Sequence, residues 1–582
     1  MKSINDIDWE KEKYDVISSN LSNSKKMKTL LDSKGCGFCL AKWTQVTMHL
    51  GTGLTHSCHH PNPHKIPIDE IKKNPGALHN TAYKKKQRKA MLNGERPAEC
   101  DYCWRVEDAA KESGNENYSD RVFKSVASFS VYEHDKIVNL TGDEDDIYPT
   151  YLEVSFSNVC NFKCSYCNPN FSSKWVQEIK QHGWYVLPEE GYNFTPNVQI
   201  PESEDNPYTE AFWKWFPEAK KHLHTLRITG GEPLMSKHTF KLLEDIRDNP
   251  TPNMELSINT NGNAPAKNWK RFLELIENIC NLNKVQKFTL FISCEGWGQR
   301  SEYSRDGQDF NEFLGNVEEF LRTTHNSRLV FMSAFNLFAV SNVMPFLKYV
   351  LQLKKEFNYN GLLHWFEEKT NGQTTRVLTK HNWVLDGVLD ESLDDRPVRS
   401  LTERKNLAKR NPNERVGIDI AYVRYPDFLD VGVVGTEELL LDHLIPALDF
   451  MYKNNENTEW TKFQGFTDWE AGKLKRIVEM LVWQLEKGTT KWEKKSRLAR
   501  ERFYAFVNEY DKRRGKNFLK TFPEMKNFYN FCKQLHDESH VTKDGDTEYY
   551  HNDENGNRVR QVAVDAKHFY SKPVKSKGYS KA

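Results

Sequence analysis

The sequence predicts an α/β protein built on a parallel sheet, open or closed into a barrel. Two observations carry this. From residue 150 onward, short period-two runs alternate with longer amphipathic stretches, in about six repeats of a strand–helix unit. Several of those runs end in polar or glycine-bearing motifs at the edge where α/β proteins place chemistry.

The elements follow in order along a chain of 582 residues, long enough for about three or four domains. Residues 1–35 read as a polar leader with one short helix; the opening MKSINDIDWEKEKYDV lacks a signal peptide's apolar core. Residues 36–110 hold a first group of cysteines. Residues 111–149 read as a connector, acidic and loop-rich toward TGDEDDIYP. In 150–370, YLEVSFS (151–157) sets Leu152, Val154 and Phe156 on one face. Further strands are expected at 225–229, 255–260, 288–293, 328–338 and 361–368. Between them lie KHTFKLLEDIRD, NWKRFLELIENIC, FNEFLGNVEEFLRT and VMPFLKYVLQLKKEF, all helical in period. An aromatic insertion (182–208) interrupts the first unit and reads as an ordinary surface insertion, or as a substrate-facing lid. Residues 371–538 are expected to form a mostly helical C-terminal domain, and 539–582 a polar, poorly ordered tail.

Composition narrows the function classes. Hydrophobic residues make up 38%, charged residues 28%, and the formal net charge is +1. That balance leaves no global footprint for nucleic acid or membrane. No apolar run approaches the ~18 residues that span a bilayer. A soluble, cytoplasmic protein is expected. Its 11 cysteines then point to metal or redox roles rather than disulfides. Five precede residue 104, three lie at 160–167, and Cys280, Cys294 and Cys532 are scattered. Cys280 and Cys532 sit in apolar helical stretches and read as core. Cys294, at a strand end, reads as packing, with hydrogen-atom delivery to a substrate radical as the sharper alternative.

The most informative stretch is CNFKCSYC, Cys160 to Cys167, directly after the first core strand. Thiolates are soft ligands that suit zinc or iron–sulfur clusters. Three of them on a four-iron cluster leave one iron open; a zinc knuckle with a remote fourth ligand is the structural alternative. Later strands add TLRITGGEP, where Gly230 and Gly231 let backbone approach a ligand and Glu232 can accept from an ammonium group. They add SINTNG, with Asn259, Thr260 and Asn261, and FISCEGWGQRSEYSR, with Ser293, Glu295 and Arg305, a potential carboxylate clamp.

Taken together these motifs resemble the radical S-adenosylmethionine (radical SAM) superfamily over about residues 150–370. The resemblance implies a partial (β/α)6 TIM-like barrel. It implies a 4Fe–4S cluster on Cys160, Cys164 and Cys167, its open iron chelated by the amino and carboxylate groups of SAM. Gly230, Gly231 and Glu232 would hold the SAM amino group, and Tyr166 would contact adenine through its backbone. Asn259, Asn261, Ser293 and Arg305 would contact ribose and carboxylate. Reductive cleavage would yield a 5′-deoxyadenosyl radical that takes hydrogen from a peptide or small-molecule substrate. A flavodoxin- or ferredoxin-like donor would supply the electron.

The N-terminal cysteines, in CGFCLAKW, SCHH and ECDYCW, admit two readings. Cys36, Cys39, Cys100 and Cys103 make two C-x2-C pairs, as in a zinc ribbon. Alternatively, FC at 38–39, Trp43, Cys58 and RKAMLNGERPAECDYC resemble the twitch/SPASM-like auxiliary cluster domain found beside radical SAM cores. That resemblance implies a second 4Fe–4S cluster on Cys39, Cys58, Cys100 and Cys103, able to accept an electron and give net oxidation. His59 and Cys36 depart from its pattern, so ligand choice among Cys36, Cys58 and His59 stays open. With 38 residues ahead of Cys39, no separate leader-peptide-binding domain is expected there. A rival of another class, a non-catalytic zinc-stabilised module, would bind nucleic acid through AYKKKQRKAM (82–91); such a lysine run is more ordinarily a solvated helix face.

Overall fold

The computed structural model describes residues 21–114, 118–142, 147–189, 197–358, 364–370, 373–379, 414–433, 439–456, 464–487, 490–552 and 557–560. Its principal strands are β1 (Gln45–His49), β2 (Leu54–His56), β3 (His64–Lys65), β4 (Tyr151–Ser155), β5 (Thr225–Thr229), β6 (Thr251–Thr260), β7 (Val285–Ser293), β8 (Ser327–Phe335), β9 (His364–Thr370), β10 (Gln373–Thr379) and β11 (Val416–Tyr422). The fold is α/β, with a mostly parallel, open sheet. Two compact units divide it: 1–158 with 199–258 and 284–286, and 159–198 with 259–283 and 287–582.

In the first unit, β4 pairs parallel with β5, β5 with β6, and β1 joins β4 on its other side, Gln45 opposite Tyr151. The antiparallel β2 and β3 complete this edge. Alternation decides the faces: Leu152, Val154, Leu226 and Ile228 are wholly buried. Helix Pro207–Ala219 is started by Pro207 and by Asn206, which caps the Tyr208 and Thr209 amides, and packs against the residue that follows β4. Phe156 meets its Phe212 edge-on at 5.3 Å. A separate core of Met27, Leu31, Phe38, Trp43, Met91, Trp104 and Val122 underlies the N-terminal cysteines. Part of the stretch expected to be a connector, 120–138, is helical and lends Val122 and Ile137 to that core.

In the second unit, β7, β8 and β11 run parallel. Helices Phe310–Thr323, capped by Asp309, and Val343–Phe357 pack apolar stripes of Phe313, Val317, Phe320, Phe346 and Val350 inward. The strand expected at 361–368 forms as β9, but it pairs antiparallel with β10 in a separate two-stranded sheet. The strand beside β8 is instead β11, which the sequence reading passed over. Helices Asp468–Lys487, Thr490–Arg514 and Lys526–His540 follow. The last is extended by ordered chain, where Tyr549 shares a hydrogen bond with His536 at 2.9 Å. Residues 561–582 lie outside the described residues, as do 1–20 of the polar leader. Among the described residues no helix is long and apolar enough to cross a membrane.

The aromatic insertion is not a plain surface loop in its first half. Trp184, Tyr185 and Leu187 are buried, and Arg513 donates to the carbonyls of Gly183 and Trp184. Residues 190–196 lie outside the described residues.

Candidate functional site

The cysteine loop leaves β4 and is held almost entirely by its own unit. The Cys160 amide donates to Ser173 Oγ, the Cys167 amide to the Cys164 carbonyl, and Trp175 Nε1 to that same carbonyl at 2.9 Å. The Lys163 and Ser165 amides donate to the carbonyls of Asp306 and Ser304. Burial pushes the Cys164 and Cys167 thiols above their ordinary range. Thiols so placed stay protonated and inert unless a metal deprotonates them.

Beneath the loop lies a buried charged triad. Tyr166 donates from its hydroxyl to Glu295 at 2.7 Å, and Arg305 Nη1 donates to both Tyr166 and Glu295, at 2.5 and 3.0 Å. Arg305 also lies over the Phe162 ring at 5.6 Å. Its Nε, fully buried, has no partner among the described residues. Half of the guanidinium is therefore committed to Glu295, and the other edge retains a donor. Such an orphan in a low-dielectric site calls for an acceptor. The sequence reading named both Glu295 and Arg305, but not the pairing by which the carboxylate anchors the guanidinium.

The remaining predicted positions are distributed as follows. Asn261 donates to Asn161 Oδ1 inside the cysteine loop at 2.8 Å and accepts from the Asn263 amide, so its side chain braces the loop. Asn259 lies in the last turn of chain of β6, and Ser293 ends β7; both are half-buried. In the first unit, Gly230 and Gly231 follow β5. Gly230 has φ +139°, and a Cβ there would stand 2.8 Å from the Ser157 carbonyl. The Gly231 amide donates to that carbonyl, latching the turn to the end of β4. Glu232, buried, caps the following turn through the Leu234 amide. Cys294 is wholly buried, its thiol donating to the Gly296 carbonyl at 3.2 Å, and burial pushes it up to about 12.

The N-terminal cysteines also lie in the first unit. Cys39, Cys58, Cys100 and Cys103 are close enough to act on one another's charge, whereas Cys36 is exposed and bonded to Arg96. Burial pushes Cys58 up to about 11, and Cys100 and Cys103 up to about 12. Cations surround them: buried Lys42, paired with Glu99, sends Nζ to 3.8 Å from Cys100 Sγ. Ser57 Oγ and Trp43 Nε1 are buried without partners among the described residues. His59 turns away, toward Asp120. Among the described residues, no three of these sulfurs come within 4.8 Å of one another.

Sequence and structure comparisons bear on the core. Residues 154–333 match the radical SAM superfamily. The match runs from β4 into β8 and contains all three loop cysteines. Curated relatives include a GTP 3′,8-cyclase of Pasteurella multocida (strain Pm70), 32% identical over 123 residues, or 21% of this chain and 29% of that protein. Molybdenum cofactor biosynthesis protein 1 of Dictyostelium discoideum is 27% identical over 159 residues, 27% of this chain and 21% of the relative. The chain thus spans under a third of these relatives' lengths. Among solved structures, Streptococcus suis SuiB bound to S-adenosylmethionine has a TM-score of 0.27 at 13% identity, covering 66% of this chain and 74% of that one.

Proposed function

We propose that the chain is a radical SAM enzyme that cleaves S-adenosylmethionine reductively and abstracts hydrogen from a peptide or small-molecule substrate. The observation that carries this is the Cys160–Cys167 loop, placed directly after a parallel strand inside the radical SAM domain. A 4Fe–4S cluster with SAM on its open iron supplies, on reduction, a 5′-deoxyadenosyl radical. The protein's part is to bind, orient and exclude water. Cys160, Cys164 and Cys167 would hold the cluster. Arg305, steadied by Glu295, would offer its free edge to the SAM carboxylate. Gly230 and Gly231 would admit the SAM amino group to backbone, beside Glu232, with the Tyr166 backbone on adenine. Asn259, Asn261 and Ser293 would line the ribose.

In the same reading Cys39, Cys58, Cys100 and Cys103 form a twitch-like set for a second 4Fe–4S cluster. Supporting it are the exposure of Cys36, the buried Lys42 beside Cys100, and the Ser57 and Trp43 donors left without partners among the described residues. The spacing also favours it: tetrahedral zinc, with Zn–S bonds of ~2.3 Å, holds its sulfurs about 3.8 Å apart. An electron from a substrate radical could then pass to this cluster, giving net oxidation. Cytoplasmic placement and an external flavodoxin- or ferredoxin-like donor complete the reading.

Anaerobic purification with cluster reconstitution tests it. About eight irons per chain, with 5′-deoxyadenosine released from SAM under dithionite, is the expected result. About four irons with SAM cleavage intact would remove the second cluster, and no 5′-deoxyadenosine would remove the enzyme reading.

A further inference from the structure

Beside the thiolates lies a ligand set of different chemistry. His59 and His60, consecutive in the SCHH turn, both aim Nε2 at one oxygen of Asp120, at 3.1 and 2.7 Å. Sixty residues separate the histidines from the carboxylate, so the fold assembles the group. Among the described residues these three are the trio of histidine, cysteine or acidic side chains whose ligand atoms all fall within 4.8 Å.

We infer that His59, His60 and Asp120 hold one divalent transition-metal ion, separate from the thiolate set. First, the three ligand atoms converge. Zinc–nitrogen and zinc–oxygen bonds of ~2.0–2.2 Å put tetrahedral ligand atoms about 3.3–3.6 Å apart, so the contacts of 3.1 and 2.7 Å need widen by less than about 1 Å to admit an ion. Second, the charge is unbalanced. Asp120 has no lysine or arginine partner among the described residues, while the adjacent Arg121 turns to Glu107 and Asp32. Third, one ring is already oriented: His60 stacks on Tyr102 with centroids 3.9 Å apart and planes at 17°. Pre-set rings favour a ligand role.

Ligand softness separates the two neighbouring sites. Imidazole and carboxylate suit zinc and similar borderline divalent ions, whereas thiolates suit the cluster. Two histidines and one carboxylate leave coordination positions open. His59 is 56% exposed, so the ion would face solvent on one side. The site does not depend on the second cluster, since neither ring nor carboxylate comes from its four cysteines.

The test uses the reconstituted full chain under argon, given one equivalent of Zn2+, desalted, and assayed for zinc, iron and sulfide together. One zinc per chain is expected, with iron and sulfide unchanged. His60→Gln and Asp120→Asn should each weaken retention about tenfold or more, again with iron unchanged. His59→Gln serves as a third, more exposed variant whose folding is not in question. Zinc absent from the wild type, zinc retained by all three variants, or zinc gained with matching loss of iron would each overturn the inference. The last would put the metal on thiolates.

Discussion

Arg514 donates from Nη1 to the backbone carbonyl of Lys163, inside the loop that carries Cys160, Cys164 and Cys167, at 2.5 Å and across 351 positions of sequence. Its Nε and Nη2 grip Glu178 at 2.9 and 3.1 Å. The guanidinium lies over Tyr510 at 4.0 Å and Trp175 at 4.9 Å. Trp175 in turn donates to Cys164 and Lys163 to Glu178, so one residue at the end of a C-terminal helix closes a network around the cysteine loop.

Replacing that residue should unsettle the loop. Arg514→Met leaves Glu178 buried without its main partner, a change of about 3–5 kcal/mol. Urea unfolding should show that loss, and iron per chain should fall. Adding Glu178→Gln should restore part of the stability, because it removes the stranded charge. Equal stability for the single and double variants would contradict the network.

The same pair sets an acid limit. Burial alone would raise Glu178, but Arg514, Lys163 and Tyr185 outweigh it and hold the carboxyl at about 2, against an ordinary 4.5. A carboxyl depressed in the folded state stabilises above its unfolded pKa and loses that contribution as pH falls through its folded one. The window is therefore pH 4.5 down to about 2, and the contribution is on the order of 3 kcal/mol. Stability measured across this range should fall less steeply in Glu178→Gln.

If Gly230 admits the SAM amino group as proposed, Gly230→Ala tests cosubstrate binding. The added methyl would press on the Ser157 carbonyl, at a φ where side chains are strained. Equilibrium dialysis should show SAM bound about tenfold more weakly, with iron unchanged.

Cys294→Ser should keep full turnover. The thiol is wholly buried and already donates to the Gly296 carbonyl, so packing accounts for it. Product lost while SAM cleavage persists would instead revive hydrogen-atom delivery by this residue.

Where periodicity was strong, the sequence was readable to the residue. Lys237–Asp248, Phe310–Thr323 and Val343–Phe357 form as helices at the limits their apolar stripes imply. Strand Thr225–Thr229 likewise coincides with its alternating run. The missed strand β11 carries the same signal, Val416, Ile418 and Ile420, all buried, but stands far beyond the run of alternating units. His364–Thr370 has strand propensity without the parallel partner, because local pattern does not specify pairing. The loop cysteines were legible because ligand spacing is local. Arg514 and Glu178 were not: a charged helix such as Thr490–Arg514 reads as solvated, and only the fold reveals which of its cations is buried.

The reach of Arg514 also orders events during synthesis. When Cys167 leaves the ribosome, some 350 residues remain before the loop's last brace exists. At roughly 5–20 residues per second that interval is on the order of half a minute. Throughout it the three thiols sit on an unfinished scaffold, open to oxygen and to stray metal. Iron delivery is therefore best timed after Arg514 has emerged, and a chain truncated before it would carry all three loop cysteines without this brace.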